Sequence, residues 1–236
     1  MSLLTDRASI LRAYFRLVNA DSTDEDMIEH DDSTLEGAYE ALAVGQERAQ
    51  LYLIRVGRGD RWLTTSSALT FSGADPDKRA ALPSDFLRLD SDPDQRRSGL
   101  RRSTGLSWGR EIGIDDRNRV TGGSHYYLRE DSDGLTYIYL VRSAVAASNL
   151  VADYYKQATT LADSTDADMP APYRPLIPAL AAEYAMMQSW FAGDMEQKQA
   201  ITASVAATKR YAFSRSRLTR RARQVQSSRH IGRIIT

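Results

Sequence analysis

Apolar positions recur at helical spacing from the first residues of the chain. Ile10, Leu11, Tyr14, Phe15 and Val18 fall on one face, which predicts a helix over about 5–18. The stretch that follows, DSTDEDMIEHDD at 21–32, has almost no apolar content and reads as a loop. Asp32 or Ser33 can cap a second helix over about 34–55. Leu35, Ala38, Tyr39, Leu42, Ala49 and Leu53 trace its inner face, with Gln46 as one polar interruption. At 1.5 Å per residue that helix spans roughly 30 Å. Gly57 and Gly59 end it.

From Arg61 to about Gln157 the periodicity changes. Residues 62–65, 86–90, 106–112, 125–129 and 135–141 are short β-rich runs between turn residues, and Val151 to Gln157 is a further candidate strand. Asp133-Gly134 in HYYLREDSDGLTYIYLV predicts a tight hairpin, because glycine supplies the positive φ that the turn needs. In ALPSDFLRLD at 81–90, Pro83 biases Leu82 away from helix, and Asp85 can bond backbone N–H groups at the turn. The polar stretch SDPDQRRSGLRRSTG at 91–105 is expected to be an exposed, mobile loop.

Helical spacing returns after Pro170, Pro172, Pro175 and Pro178. Leu176, Ile177, Leu180, Tyr184, Met187 and Phe191 line one face, and Gly193 breaks the chain. Asp194 can cap a last helix carrying Met195, Ile201, Val205 and Ala212, interrupted by Thr208. Past Arg217 the apolar period fades into LTRRARQVQSSRHIGRIIT. The expected class is α+β: a bundle of N- and C-terminal helices with an inserted β-rich region and an extended C-terminal tail. The boundaries drawn are 1–56 for the N-terminal helices, 57–160 for the insertion, 161–217 for the closing helices and 218–236 for the basic tail.

Composition adds two constraints. Without cysteine there is no disulfide framework, thiolate metal site or Cys nucleophile. Charge balances over the whole chain but not along it. Residues 197–236 hold ten Lys and Arg and no acid, so the first 196 residues sum to −10, and seven carboxylates crowd into 21–32. Such separation fits head-to-tail contact between copies, docking of a basic tail on an acidic partner, nucleic acid nearby, or simply a solvated loop and tail. The charged N-terminus does not read as a signal peptide, and no apolar run is long enough to span a membrane.

Catalytic patterns are weak. GLSWG at 105–109 matches G-x-S-x-G, but that motif works on a turn from a buried strand into a helix, and neither flank reads that way. The acids of 21–32 and DSDG at 131–134 lack the spacing of a calcium loop. His30, His125 and His230 lie far apart, and no phosphate-cradling glycine loop or dinucleotide fingerprint is present. The expectation is a protein with no enzymatic activity, no cofactor and no metal. Tyr126, Tyr127, Tyr137, Tyr139, Tyr154 and Tyr155 are expected to pack cores and interfaces rather than stack bases.

Several segments taken in order resemble one family. They are LPSDFLRL at 82–89, YYL at 126–128, YIYL at 137–140, DYYKQATTLADSTD at 153–166 and LIPALAAEYA at 176–185. Together they resemble the head-to-tail connector, or adaptor, proteins of tailed bacteriophages, over roughly residues 35–215. The resemblance implies a virion protein, assembled in the host cytoplasm, that forms a ring of commonly twelve copies beneath the portal. Such a ring continues the DNA channel without reading sequence and offers a platform to the tail or a second neck protein. The C-terminal segment of such proteins often reaches onto the portal. Here that role would fall to Arg220, Arg221, Arg223, Arg229 and Arg233 with Ile231, Ile234 and Ile235, as charged contacts plus an apolar anchor. Asp24, Glu25 and Asp26 could face Arg96, Arg97, Arg101 and Arg102 of a neighbour, or acids could line the lumen. The alternatives are a sequence-independent DNA-binding protein, with affinity falling steeply with salt, and another virion ring such as a tail terminator.

Overall fold

The computed structural model describes residues 4–18, 32–72, 78–91, 99–105, 108–120, 124–141, 150–162, 166–188 and 195–231, with 32–35 and 215–231 described by their backbone alone. The chain divides into two compact units. One comprises residues 1–60 and 158–236, and the other is the segment 61–157 inserted between them.

The discontinuous unit is helical: α1 (Arg7–Val18), α2 (Asp32–Arg55), α3 (Leu176–Met186) and α4 (Met195–Ile231). Asp6 starts α1. Its carboxylate accepts the Ser9 N–H at 2.8 Å, and the Ser9 hydroxyl oxygen in turn accepts the Thr5 and Asp6 N–H groups at 3.0 and 3.2 Å. This reciprocal arrangement satisfies donors that the first helical turn leaves open. The expected stripe is buried at Ile10, Tyr14, Phe15 and Val18.

The polar interruptions in the helical stripes have local explanations. Buried Gln46 donates to the Thr159 carbonyl at 2.7 Å, and buried Gln50 accepts the Ala158 N–H at 2.9 Å. The Thr208 hydroxyl donates back to the Ser204 and Val205 carbonyls of its own helix. α3 is buried along most of its length, from Leu176 through Ala182 and at Ala185, and it packs against α1, α2 and α4. It ends at Met186, so Met187 of the predicted stripe lies past the helix and is exposed, and Phe191 lies outside the described residues. Ahead of α3, buried Arg174 donates to the carbonyls of Met169 and Leu4 and to the Asp166 carboxylate, at 3.0–3.1 Å. That guanidinium ties the N-terminal segment to the proline-rich approach to α3.

The described residues of the inserted unit hold eight strands: β1 (Leu63–Thr65), β2 (Arg79–Ala81), β3 (Phe86–Leu89), β4 (Leu100–Arg102), β5 (Arg110–Glu111), β6 (His125–Glu130), β7 (Thr136–Val141) and β8 (Leu150–Lys156). In the first sheet β8 pairs antiparallel with β1 on one side and with β3 and β4 on the other. The second sheet runs β2-β7-β6-β5, antiparallel except for the β5–β6 pair. Leu89, Leu100, Leu150 and Tyr154 of the first sheet share one core with Ala80, Tyr126, Ile138 and Leu140 of the second. The β6–β7 turn is closed as expected, with Gly134 at φ +75° and the Gly134 N–H donating to the Asp131 carbonyl at 3.0 Å.

Three local expectations need correction. Residues 91–105 are not loop throughout: β4 lies inside them, and Leu100 is fully buried between Gly99 and Arg101. One inward leucine is enough to seat a strand, and the surrounding arginines hide it from a hydropathy reading. β2 also escaped the sequence reading, because RAA carries no β-rich run. Where a strand was expected over 106–112, the described strand is only Arg110–Glu111.

Pro83 stands where the chain leaves β2 of one sheet for β3 of the other, and its carbonyl accepts the Phe86 N–H at 3.0 Å. The Asp85 carboxylate does not bond the turn backbone as expected. It accepts the Tyr154 hydroxyl at 2.9 Å, while the Asp85 carbonyl accepts the Gln157 N–H.

Candidate partner-binding surfaces

The first candidate is the basic C-terminal segment. The sequence pattern ends the last helix near Arg217, yet the backbone stays helical to Ile231. The composition permits this: no Gly or Pro occurs between Asp194 and Ile231, and Leu, Arg, Ala and Gln dominate after Arg217. Gly232 is the next glycine. Arg220, Arg221, Arg223, Arg229 and Ile231 therefore lie on α4, known by backbone only. Arg233, Ile234 and Ile235 lie outside the described residues. From Arg215 to Ile231 the helix runs about 25 Å and carries six arginines and no acid. Charge at that density suits carboxylates or phosphates on a partner.

The second candidate paired an acidic segment with four arginines. Asp24, Glu25, Asp26, Arg96 and Arg97 lie outside the described residues. Arg101 lies on β4 and grips Asp153 of β8 with two bonds, Nε to Oδ2 at 2.5 Å and Nη2 to Oδ1 at 3.1 Å. The Thr65 hydroxyl of β1 donates to the same carboxylate at 2.6 Å. Hydrogen bonding to Asp153 and its negative charge raise the Arg101 pKa further. Its guanidinium thus ties three strands of one sheet together. Arg102, the next residue, is exposed.

Sequence reasoning missed a network on the second sheet. Arg79 of β2 pairs with Asp131, donates to the Tyr139 hydroxyl at 3.0 Å and lies over the Tyr137 ring at 4.6 Å. Tyr139 donates to Asp131 at 2.8 Å and stacks on Tyr127 at 5.0 Å between centroids. Tyr137 donates to Asp133 at 2.7 Å. That bond and the Leu135 N–H hold Asp133 below the usual carboxylate range, and the bond to Asp133 pushes Tyr137 above the usual phenol range. The available signal was Tyr137 and Tyr139 two apart on one strand face, beside the acids of DSDG. Both hydroxyls are used within the unit, so the network fixes the hairpin.

The flanks of GLSWG are β4 and β5, with no helix following, so the frame of a nucleophile elbow is missing there; Ser107 itself lies outside the described residues. Among the described residues no group of His, Asp and Glu has metal-binding geometry, and no helix is long and apolar enough to cross a membrane.

The described residues thus form a helical unit interrupted by a β insertion, with charged networks on both sheets and an arginine-rich last helix. The family model described as SU10 adaptor protein matches residues 5–233. That span takes in both units, and the chain belongs to this family of phage adaptor proteins. It is accordingly a structural virion component that interacts with other virion proteins. No curated protein is recognisably similar to it in sequence.

Proposed function

We propose that the protein forms the adaptor ring below the portal, continues the DNA channel and gives the tail its platform. The observation that carries this reading is the family match, which extends from α1 to the end of α4. In this reading the basic stretch 218–236 is the portal-docking element, and its helical backbone through Ile231 supports docking as a preformed helix. A preformed helix loses less entropy on binding than a disordered tail, so fewer contacts suffice. The ring, commonly of twelve copies, leaves DNA free to pass without sequence recognition. The DNA-binding alternative draws on the same arginines.

Co-sedimentation of the full chain with portal rings at physiological salt, with and without 218–236, separates the readings. Co-migration that requires 218–236 supports portal docking. Failure of the full chain to co-migrate, with duplex binding that weakens steeply as salt rises, overturns it in favour of DNA binding.

A further inference from the structure

The edges of the two sheets are not alike. β2, β3, β4 and β5 each lie at an edge among the described strands, and each carries an arginine. The outer side of β2 is also closed, because Ser72 and Arg79 exchange backbone hydrogen bonds at 2.9 Å. Charged residues on edge strands are a usual protection against pairing with a further strand. β1 has no such residue, and the sequence from Leu63 to Ala74 carries no charge at all.

The hydrogen-bond alternation along β1 defines what its free side offers. The Ser66 N–H donates to the Ala152 carbonyl at 2.8 Å, so Thr64 and Ser66 turn their backbone groups toward β8. In an antiparallel pair the intervening residues turn theirs the other way. Leu63 and Thr65 therefore direct N–H and C=O groups away from β8, where no described strand lies. Both side chains are exposed, Leu63 at 40%. Leu63 stands opposite Tyr155, on the face away from the core that Tyr154 joins.

We propose that the free edge of β1 receives residues 233–236 of a second copy as an added strand. The inference rests on the ring reading and gives it a contact between neighbours. It narrows the portal-docking element of that reading to the arginines on α4. Ile234, Ile235 and Thr236 are β-branched, which favours extended backbone. Gly232, which commonly ends a helix, stands directly after the last helical residue. Four extended residues reach about 13 Å, enough to lie along β1. Ala212 is the last buried side chain described on α4, and Ile231 lies about 28 Å further along the axis, which carries residues 233–236 toward another copy. Successive side chains of a strand face opposite sides, so one isoleucine covers Leu63. An uncharged edge offers nothing to phosphates. The contact joins two different patches, so it propagates from copy to copy and closes as a ring when the rotation closes.

The absence of cysteine allows a direct test on the full chain. Ser67→Cys, just past the free edge, and Thr236→Cys are treated with a short bismaleimide, both free and on portal rings. The double variant should give a ladder of multimers, the two single variants co-expressed should give dimers, and each alone should stay unlinked. Links in a single variant alone, links only within one chain of the double variant, or no links in either state overturn the proposal. Sedimentation velocity gives a second readout. Leu63→Lys places a charge on the edge, and a chain ending at Ile231 lacks the added strand. Each should lose self-association and keep the parent's far-ultraviolet circular dichroism. Self-association kept by either variant overturns the proposal; if Leu63→Lys fails to fold, the shortened chain decides. The shortened chain should still co-sediment with portal rings, unlike one that lacks 218–236. If portal co-sedimentation persists without cross-links, the edge contact fails and the adaptor reading stands. If cross-links form without portal binding, the edge contact stands and portal docking fails.

Discussion

Gly45 decides how closely α2 and α3 pack. A Cβ there would lie 2.6 Å from the Ile177 carbonyl oxygen and 2.8 Å from Ala181, against backbone that cannot swing aside. Replacing a mid-helix glycine by alanine ordinarily gains up to about 1 kcal/mol in helix propensity. Overpacking a tight core costs about 1–3 kcal/mol. With backbone as the obstacle the second effect wins, and Gly45→Ala is expected to destabilise the helical unit by about 1–2 kcal/mol. The urea midpoint measures it; a rise in midpoint would show that the helices separate at little cost. Nothing in the sequence around AVGQE marks this glycine as a crossing point. The contact joins positions more than 130 residues apart in the chain, and only the folded helices bring them together.

At the scale of elements, the β6–β7 hairpin was legible and β4 was not. The hairpin has a local cause: Gly134 at φ +75° takes a conformation that L side chains avoid. Gly134→Ala is therefore expected to cost about 1–2 kcal/mol. There is open space around its Cβ position, so backbone conformation alone sets that cost. A thermal melt of the variant tests it, and an unchanged melting temperature would mean that the turn relaxes. β4 has a non-local cause. Leu100, Arg101 and Arg102 become a strand because β8 lies beside them, with Arg101↔Val151 in register and the Arg101–Asp153 pair across the sheet. The end of α4 lies between these cases. Propensity carries the helix past Arg217, while the fading apolar period, read alone, announces its end.

Across the whole molecule, each unit contains a buried tyrosine whose pKa is pushed up to about 12. Burial raises Tyr14 in the helical unit; burial and then the hydrogen bond to Asp85 raise Tyr154 in the β unit. A folded-state pKa above the unfolded value of about 10 means that the native protein holds the proton more tightly. That stabilisation is fully present below pH ~10 and is lost as the pH rises through the folded pKa. Each unit is thus expected to weaken at alkaline pH, with Tyr14 contributing on the order of 2–3 kcal/mol. Far-ultraviolet circular dichroism followed through an alkaline titration, beside Tyr14→Phe and Tyr154→Phe, tests this. Variants that lose stability on the same alkaline profile as the parent would exclude these two groups as its source.

What the sequence alone determined was whatever depends on neighbours along the chain. Helical stripes at Ile10 to Val18 and Leu176 to Leu180, the Asp133-Gly134 turn, the end of α2 before Gly57, and the ordered motifs of the adaptor family are all local in that sense. The tertiary structure decided what depends on residues distant in sequence. It set the division of the described strands into two sheets with Pro83 at the crossing, the commitment of Arg101 to Asp153, and the Arg79–Tyr139–Asp131 network. It also decided which faces of α2 and α4 are left to solvent. The physical reason is that periodicity specifies which side of an element is apolar, but a polar or charged side chain takes its role from the partner that folding brings within hydrogen-bonding distance.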